Sequence, residues 1–291
     1  MPRNRLLTTG SVATTVLVLL LAFHSYLAYA GTTTHTVTAY GNAQIDTAQS
    51  KFGGASGLFD GAGDYLTTPD SDDWAFGTGD FTIDTWVRFN ALPSTNTHAI
   101  LFCQYVDSSN LYYLSLRNDA GTYYFFYYCV SGGSPVVAVA GTSFSPATAT
   151  WYHAELIRNG NSWYIAKDGT LSSATTDSDA IPNLAGTVYV GQFGTYAVPH
   201  NINGWLDELR VSKGIARHTS NFTPPTSAYT ADSPTVLLLH MNGADGSTTF
   251  IDDSAVSGPD FSINASPSSQ SVGAGSTASF TLTLDAFGGF S

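Results

Sequence analysis

Alternating apolar and polar positions run through most of this chain. In residues 81–89, the apolar side chains stand at odd positions, at Phe81, Ile83, Val87 and Phe89. Side chains two residues apart point to the same face of a strand, so this period predicts β-strands with one buried face. The same alternation returns in six later segments, namely 111–117, 123–130, 152–158, 163–167, 187–192 and 205–211.

Tight-turn signals separate these segments. Asn159-Gly160 and Asp168-Gly169 are residue pairs that tolerate positive φ angles and therefore favour two-residue hairpins. No helical period is sustained between residues 31 and 257. Many short strands at regular spacing are typical of two-layer β-structures. The pattern therefore predicts an all-β fold, a two-sheet antiparallel jelly-roll β-sandwich.

Three consecutive strands are predicted at 99–106, 111–118 and 122–130, joined by short turns. The two cysteines of the chain, Cys103 and Cys129, fall on the outer two strands of this meander. Strands two positions apart are separated by about 9.5 Å, which exceeds the reach of a disulfide. We therefore expect two unpaired, buried thiols rather than a bridge.

The first thirty residues have the pattern of an export signal. Arg3 and Arg5 form a positive start, residues 12–23 form an apolar core, and Ala28-Tyr29-Ala30 matches a cleavage site. A retained membrane anchor is the alternative, although the apolar run is shorter than the ~20 residues that a spanning helix needs. The pattern predicts removal of residues 1–30 and a protein that is secreted, extracellular or at the cell surface.

The charge balance limits the partners. The chain has 291 residues with 10 Lys+Arg against 22 Asp+Glu, which gives a formal net charge of −12. Binding to nucleic-acid phosphates needs clustered Lys and Arg, so no nucleic-acid partner is expected. An acidic protein is equally unsuited to an anionic membrane surface, so no membrane contact is expected beyond the export signal.

Several short motifs follow one another in a characteristic order. They are SKFGGASGLFDG at 50–61, DYL at 64–66, GDFTI at 79–83, WYH at 151–153 and GWLDELRVSKGIAR at 204–217. In this order they resemble a laminin-G-like domain with the concanavalin A-like lectin/glucanase jelly roll, over about residues 35–230. The resemblance implies the fold specifically and the function only broadly, because lectins, adhesins, spacers and glycosidases share this fold.

An apolar run at 236–241 follows the last of these motifs, although in the resembled family such a strand usually opens the domain. Its consecutive leucines predict a strand buried on both faces, so we expect it to complete the sheet of the preceding sandwich. The jelly roll is accordingly predicted to span residues 31–257. Residues 258–291 resemble the start of a bacterial immunoglobulin-like repeat and are expected to form a truncated β segment of a longer protein.

Carboxylates suited to catalysis are scarce, because the chain has only two glutamates, Glu155 and Glu208. The glucanases of the resembled family use two carboxylates on one strand face, and a retaining mechanism needs them about 5 Å apart. Glu155 and Glu208 cannot form such a pair within one strand, and Asp207 is predicted to point away from its neighbour Glu208. His153 is expected to be a structural strand histidine. We therefore expect no enzyme.

Aspartates at predicted strand ends are the candidate metal ligands. Calcium prefers several oxygen ligands from different loops, and jelly rolls of the resembled class often carry one. The candidates are Asp60, Asp64, Asp207, Asp252 and Asp253. The alternative is turn chemistry, because aspartates beside glycines are residues that loops use to bend. Calcium is the one cofactor that the sequence suggests.

An aromatic run at 123–128 predicts a set of outward rings. In a strand, Tyr124, Phe126 and Tyr128 point to one face and their neighbours to the other. One set enters the core, and the other meets solvent or a covering loop, where rings can stack against sugars. With residues that join this face if their strands are neighbours, the predicted ligand-binding set is Trp86, Arg88, Tyr113, Arg117, Tyr124, Phe126 and Tyr128. The alternative is that the tyrosines only support the sheet through cross-strand pairs.

Together these features favour an exported, non-catalytic binding or adhesion module that recognises a glycan or a protein surface. A purely architectural spacer in a multidomain surface protein is the main alternative. A glycoside hydrolase is a third, and it would require two carboxylates within about 10 Å of each other in one cleft.

Overall fold

The computed structural model of the protein describes residues 34–194 and 200–255, together with the backbone of two strands at 261–266 and 281–286. The predicted export signal, residues 1–30, lies outside the described residues. None of the described residues belongs to a helix with the length and hydrophobicity of a membrane span. The helical structure in this part of the chain is one 3₁₀ turn, Asp72–Trp74.

Strands make up the rest of the regular structure. The first nine in chain order are β1 (Thr38–Tyr40), β2 (Gln44–Asp46), β3 (Ser56–Asp60), β4 (Tyr65–Thr68), β5 (Phe81–Ala91), β6 (Thr97–Asp107), β7 (Asn110–Asp119), β8 (Thr122–Ser131) and β9 (Ser134–Ala140). The next seven are β10 (Trp151–Asn159), β11 (Ser162–Lys167), β12 (Thr170–Leu171), β13 (Thr175–Thr176), β14 (Thr187–Val190), β15 (Asn203–Lys213) and β16 (Thr235–Leu239).

These strands form two antiparallel sheets. The seven-stranded sheet has the order β1-β4-β14-β6-β7-β8-β9. The nine-stranded sheet has the order β12-β11-β10-β5-β15-β3-β2, with β13 also pairing with β11 and β16 also pairing with β15. The predicted all-β, two-sheet antiparallel jelly-roll sandwich is therefore confirmed.

One hydrophobic core fills the space between the two sheets. The predicted inward residues of β5, from Phe81 to Phe89, are completely buried in it. The ring of Tyr127, from the seven-stranded sheet, stacks on Trp163, from the nine-stranded sheet, with 5.6 Å between centroids. Each such side chain withdrawn from water contributes roughly 1.5–3 kcal/mol. Because inward residues take every second position, the remaining half of each strand lies on one of the two outer faces.

Strand β16 lies in the nine-stranded sheet. It pairs with the second half of β15, where Leu238 is opposite Arg210, while β3 pairs with the first half of the same strand. On its other edge, the Leu238 amide donates to Asp252 Oδ1 at 3.0 Å, and the Leu238 carbonyl accepts from the Asp253 amide at 2.8 Å. Strand β16 therefore pairs with β15 where the pairing with β3 has ended. The segment at 252–254 covers the other edge of β16.

The two cysteines are free and buried, as predicted. Strands β6 and β8 flank β7, and the two thiols also lie on opposite faces of the sheet. Cys129 belongs to the central core, whereas Cys103 packs among the outward side chains. Burial raises the pKa of both thiols, that of Cys129 to about 12. Such thiols are inert, because the thiolate is the reactive form.

Contacts within the chain separate two compact units, Met1–Ala255 and Val256–Ser291. In the second unit, β17 (Phe261–Ser266) pairs antiparallel with β18 (Thr281–Ala286). A two-stranded pairing occurs in many β-folds and does not identify one of them. The immunoglobulin-like character of residues 258–291 stays a prediction.

Candidate functional site

The outer face of the seven-stranded sheet carries most of the predicted ligand-binding residues. Tyr113 of β7 is directly opposite Tyr128 of β8, and Arg117 is opposite Tyr124. Residues in register share a face of the sheet, so these side chains project together with that of Phe126. The structure thus brings five of the seven predicted residues into one cluster.

A loop covers the centre of this cluster. Phe193 contacts Tyr113 edge-on with 4.6 Å between ring centroids, and the ring of His200 lies 4.9 Å from Phe193. As a result, Tyr113 and Phe126 are only 7% and 8% exposed. His200 also accepts a hydrogen bond at its Nδ1 from the His98 amide at 3.1 Å, which holds the cover against β6. The two central rings are therefore supports of the surface, not its contact groups.

The accessible part of the cluster is a rim of three half-buried residues, Arg117, Tyr124 and Tyr128. The Tyr124 hydroxyl donates to Asp119 Oδ2 at 3.1 Å, and Arg117 Nη2 lies 3.4 Å from the same oxygen. The Arg117 guanidinium lies 5.1 Å from the centre of the Phe126 ring. These contacts orient the rim, which we call the charged tyrosine rim. It presents ring surface and polar groups side by side.

Trp86 and Arg88 do not belong to this cluster, so their expected place beside the tyrosines is wrong. Both lie on β5, which pairs with β10 and β15 in the other sheet. Trp86 is 5% exposed, with Lys51 Nζ 3.7 Å from its ring centroid, and Arg88 stacks over Trp205 at 4.9 Å. The alternation of β5 predicts their outward direction correctly, but it contains no information about which sheet the strand joins.

The seven-stranded sheet carries a second group of outward residues, which the sequence did not predict as a site. On β1, β4 and β14 every outward position holds threonine or tyrosine, and we call this surface the Thr/Tyr face. Its residues are Thr38, Tyr40, Tyr65, Thr67, Thr187 and Tyr189. Strands β1 and β4 have only three or four residues, too few for the alternation to stand out, so the alternation at 187–192 had no predicted neighbours. The one local signal was a tyrosine flanked by buried aliphatic residues, as in Val188-Tyr189-Val190.

The outer face of the nine-stranded sheet is different in kind, because it carries buried ionisable groups. Asp84 accepts two hydrogen bonds from Arg210, at 3.1 Å from Nε and 2.7 Å from Nη2. Glu155 lies opposite Asp84 in register and contacts His218 Nδ1 at 2.9 Å. His153 Nε2 lies 2.8 Å from the Tyr229 hydroxyl. We call this group the buried polar network.

A cover segment, residues 214–231, encloses the buried polar network by contributing His218 and Tyr229. Asp84, His153 and Glu155 are completely buried beneath it. A pocket of about 340 Å³ opens beside the segment and is lined by Arg210, Ile215, Arg217, His218, Pro225, Ser227, Ala228 and Tyr229. Neither Asp84 nor Glu155 is among the residues that line this pocket.

Asp84 and Glu155 form a carboxylate pair that the sequence reading did not anticipate. Oxygen atoms of the two residues and a ring nitrogen of His153 lie within 4.8 Å of one another. The distance criterion for a hydrolase is therefore met, but the two carboxylates are not in an open cleft. Burial, the largest cause, raises the pKa of Glu155 to about 7, and it lowers the pKa of His153 to about 4. The alternation within one strand does not reveal this carboxylate pair, because the pair forms between the neighbouring strands β5 and β10.

The same three residues are the metal-ligand cluster that the described residues contain. Each already has a protein partner, since Arg210 holds Asp84, His218 holds Glu155 and Tyr229 holds His153. The Arg210 guanidinium supplies the positive charge that the buried Asp84 carboxylate needs and opposes a second cation there. Arg210 neutralises the charge of Asp84 within the protein. The contacts of His218 with Glu155 and of Tyr229 with His153 hold the cover segment on the sheet.

A β-bulge changes the expected directions of Asp207 and Glu208. Asp207 pairs with Trp86 and Arg210 with Asp84, so β15 has one extra residue between them. Glu208 takes a φ of 54° at this bulge. Both carboxylates consequently lie on the outer face, and the prediction that they point apart is wrong. Burial raises the pKa of Asp207 to about 7.

The five candidate calcium ligands do not converge on one site. Asp60 and Asp64 lie at the Asn203 end of β15, whereas Asp252 binds Leu238, which pairs with Arg210. Along β15, Arg210 lies seven residues after Asn203, a distance of roughly 20 Å. A single site formed by Asp60, Asp64, Asp207, Asp252 and Asp253 is therefore excluded by the register.

Most of these carboxylates already accept backbone hydrogen bonds. Asp64 accepts from the Asn42 amide at 2.5 Å and the Asp60 amide at 2.7 Å. Asp207 accepts from the Lys51 and Phe52 amides at 2.7 and 3.1 Å. Asp252 likewise accepts from three amides, those of His35, Leu238 and Ser254. These contacts match the turn chemistry that the sequence offered as the alternative.

Comparisons with known proteins agree with this architecture. Residues 60–219 match the sequence pattern of the concanavalin A-like lectin/glucanases superfamily. No curated protein matches the chain. A Bacteroides ovatus protein named for carbohydrate binding has a similar structure, with a TM-score of 0.50 at 14% identity, over 77% of this chain and 57% of its own.

Two further solved structures have TM-scores of 0.47. Domain 4 of a GH43 extracellular arabinanase from Geobacillus stearothermophilus, in complex with arabinotriose, is 16% identical over 62% of this chain and 83% of its own. A botulinum neurotoxin type C structure, described with two ganglioside molecules, is 13% identical over 62% of this chain and 44% of its own. At these identities the likeness concerns the fold alone. The superfamily pattern, matched over residues 60–219, spans more than half of this chain. The chain therefore belongs to the concanavalin A-like lectin/glucanases superfamily.

Proposed function

We propose that this protein is a non-catalytic carbohydrate-binding module whose ligand lies on the outer face of the seven-stranded sheet. The observation that carries the proposal is the charged tyrosine rim, formed by Arg117, Tyr124 and Tyr128. Its rings are half-buried and oriented by neighbours, so little conformational freedom is lost when a ligand binds. The Bacteroides ovatus protein of similar structure, which is named for carbohydrate binding, is consistent with such a role.

The rim suits a sugar in its chemistry. Tyrosine offers a flat apolar ring against the C–H face of a sugar, and its hydroxyl donates or accepts hydrogen bonds. Arg117 and Asp119 add a donor and an acceptor at the edge of the rim. A spacer domain, the alternative, has no need for a cluster of oriented, accessible rings and paired charges on one face.

We propose no catalysis by Asp84 and Glu155, the carboxylate pair of the buried polar network. Glycoside hydrolysis requires both carboxylates to flank the scissile bond. Asp84 and Glu155 are completely buried and engaged by Arg210 and His218. A sugar would reach them only after displacement of the cover segment. We further propose that the module acts outside the cell, on the basis of the export signal pattern of residues 1–30.

The test is a glycan-array screen of residues 31–257, with Tyr124→Ala and Tyr128→Ala as the rim variants. Tyr164→Ala is the matched control, because Tyr164 is a half-buried strand tyrosine on the nine-stranded sheet. We expect glycan binding by the wild-type protein and the control, and at least tenfold weaker binding by the rim variants, about 1.4 kcal/mol. No binding to any glycan, or equal loss in the control, contradicts the proposal.

A further inference from the structure

The Thr/Tyr face forms a continuous aromatic surface next to the charged tyrosine rim. The rings of Tyr40 and Tyr65 stack with centroids 4.7 Å apart and planes 8° from parallel. Tyr189 follows at 5.8 Å from Tyr65, and Tyr105 of β6 follows at 6.4 Å from Tyr189. Tyr40 is 44% exposed and the other three are half-buried. Four strands therefore present ring surface to solvent in one unbroken series.

This surface is held in place by its turns. Gly41, which follows Tyr40, has a φ of 68°, and a Cβ there would lie 2.5 Å from Asp64 Oδ1. Asp64 in turn accepts the Asn42 amide, which ties the end of β1 to the start of β4. Glycine is needed at this position for both conformation and space. The ring pair at Tyr40 and Tyr65 is thus positioned before any ligand arrives.

The register places the Thr/Tyr face and the charged tyrosine rim on the same side of the seven-stranded sheet. Tyr189 of β14 pairs with Cys103 of β6. Cys103 pairs on its other side with Tyr113 of β7, and Tyr113 pairs with Tyr128 of β8. Three strand spacings separate Tyr189 from Tyr128, a distance of roughly 14 Å. Gly194 packs close to the Tyr105 ring and Phe193 packs on Tyr113, so the cover loop lies between the two surfaces. A ligand that touches both must be an oligosaccharide or a longer chain.

The two surfaces differ in charge. The rim contains Arg117 and Asp119, whereas the six positions of the Thr/Tyr face hold no charged residue. In a chain with a net charge of −12, a neutral surface of hydroxyl groups and rings matches an uncharged partner. Threonine and tyrosine hydroxyls pair with sugar hydroxyls in either direction, as donor or acceptor.

We infer that the Thr/Tyr face is a second subsite that binds a stretch of uncharged glycan continuing from the charged tyrosine rim. The inference rests on the proposed function of the rim. Tyr65 and Tyr189 are its central contact groups, since their rings lie in the middle of the series and each touches a ring on either side. Polyanionic glycans are disfavoured on it by the negative charge of the chain.

The experiment measures binding of the protein to four soluble polymers by affinity electrophoresis. Laminarin, galactomannan and linear arabinan are the uncharged probes, and polygalacturonate is the acidic probe. The variants are Tyr65→Ala and Tyr189→Ala for the Thr/Tyr face, Tyr128→Ala for the rim and Tyr164→Ala as the control. Tyr65→Phe keeps the ring and removes only the hydroxyl, and thermal melting of each variant verifies folding.

We expect at least one uncharged polymer to bind, and Tyr65→Ala and Tyr189→Ala each to weaken that binding at least fivefold. Tyr65→Phe should lose less than Tyr65→Ala, because the ring remains. Binding that Tyr128→Ala weakens but the Thr/Tyr variants leave unchanged overturns this inference and leaves the proposed function standing. Binding to none of the four polymers overturns this inference, and the glycan-array screen then decides separately whether the proposed function stands.

Two other outcomes also overturn the inference. One is tighter binding to polygalacturonate than to every uncharged polymer. The other is a dimer in size-exclusion chromatography with light scattering that Tyr65→Ala converts to a monomer, since the face would then bind a second copy of the chain. A monomeric wild-type protein that binds an uncharged polymer through Tyr65 supports it.

Discussion

The two outer faces of the sandwich carry the same alternation of inward and outward residues but use the outward positions in opposite ways. On the seven-stranded sheet, the outward side chains include tyrosines and threonines that remain partly accessible. On the nine-stranded sheet, they include Asp84, His153 and Glu155, which are completely buried beneath residues 214–231. The more reactive groups, Asp84, His153 and Glu155, are therefore the ones that are buried away from solvent.

This contrast shows that residue chemistry alone does not identify a site. Carboxylates within 4.8 Å of a histidine have the composition of a catalytic or metal centre. Here each has a protein partner, and two of those partners, His218 and Tyr229, belong to the cover segment. Buried charges need such partners, because an unpaired charge in the interior costs several kcal/mol. Accessibility decides between a structural and a functional interpretation.

The largest expected effect comes from breaking the buried polar network. Asp84→Ala leaves the Arg210 guanidinium buried without its partner, so we expect a loss of about 3–5 kcal/mol in the free energy of unfolding. Urea denaturation measures this loss in the free energy of unfolding. Lys167→Met is the control, because the pair of Lys167 with Asp168 is partly exposed and should contribute less than about 1 kcal/mol.

A double variant separates charge from packing in the same network. Asp84→Leu combined with Arg210→Met removes both charges and keeps apolar volume, so it should recover stability relative to Asp84→Ala. If Asp84→Ala is no more destabilising than Lys167→Met, the network does not hold the cover segment and the contrast between the two faces fails.

A pH titration sharpens the same contrast. The pKa of Glu155 is raised from 4.5 to about 7, so its contribution to stability is fully present below pH 4.5 and is lost as the pH rises towards 7. Glu155→Gln has no such titration. The stability of the wild-type protein relative to this variant should therefore fall between pH 4.5 and 7, measured by thermal or urea unfolding at several pH values. A difference that stays constant over this range contradicts the buried position of the carboxyl group.

A smaller effect is expected on the accessible face. Arg117→Ala removes a partly exposed pair with Asp119 and the cation above Phe126, so stability should fall by less than about 1 kcal/mol. Glycan binding should weaken about threefold in affinity electrophoresis, because one donor of the rim is lost. A loss of stability as large as that of Asp84→Ala would show that the rim is structural.

The smallest expected effect is that of calcium removal. The five candidate aspartates do not converge, and Asp64, Asp207 and Asp252 already accept backbone hydrogen bonds. We expect EDTA to change the melting temperature by less than about 1 °C, and glycan binding not at all. Stabilisation by added calcium, as ligand linkage requires of a specific site, would contradict this expectation.

The alternation of apolar positions was enough to predict the all-β sandwich, because inward and outward directions depend only on the two-residue period of a strand. It also predicted that Tyr124, Phe126 and Tyr128 share one face, and that Cys103 and Cys129 remain unpaired. Both conclusions concern neighbouring strands joined by short turns. In such meanders, chain order and spatial order coincide.

Long-range pairing was decided only by the tertiary structure. Trp86 and Arg88 went to the other sheet, and Asp84 met Glu155 although 71 residues separate them in the chain. The bulge at Glu208 reversed one predicted direction, since a single extra residue shifts every later side chain of a strand to the other face. The sequence by itself determined which side chains alternate inward and outward. The pairing of distant strands, and the loops that cover them, determined which of those side chains a ligand can touch.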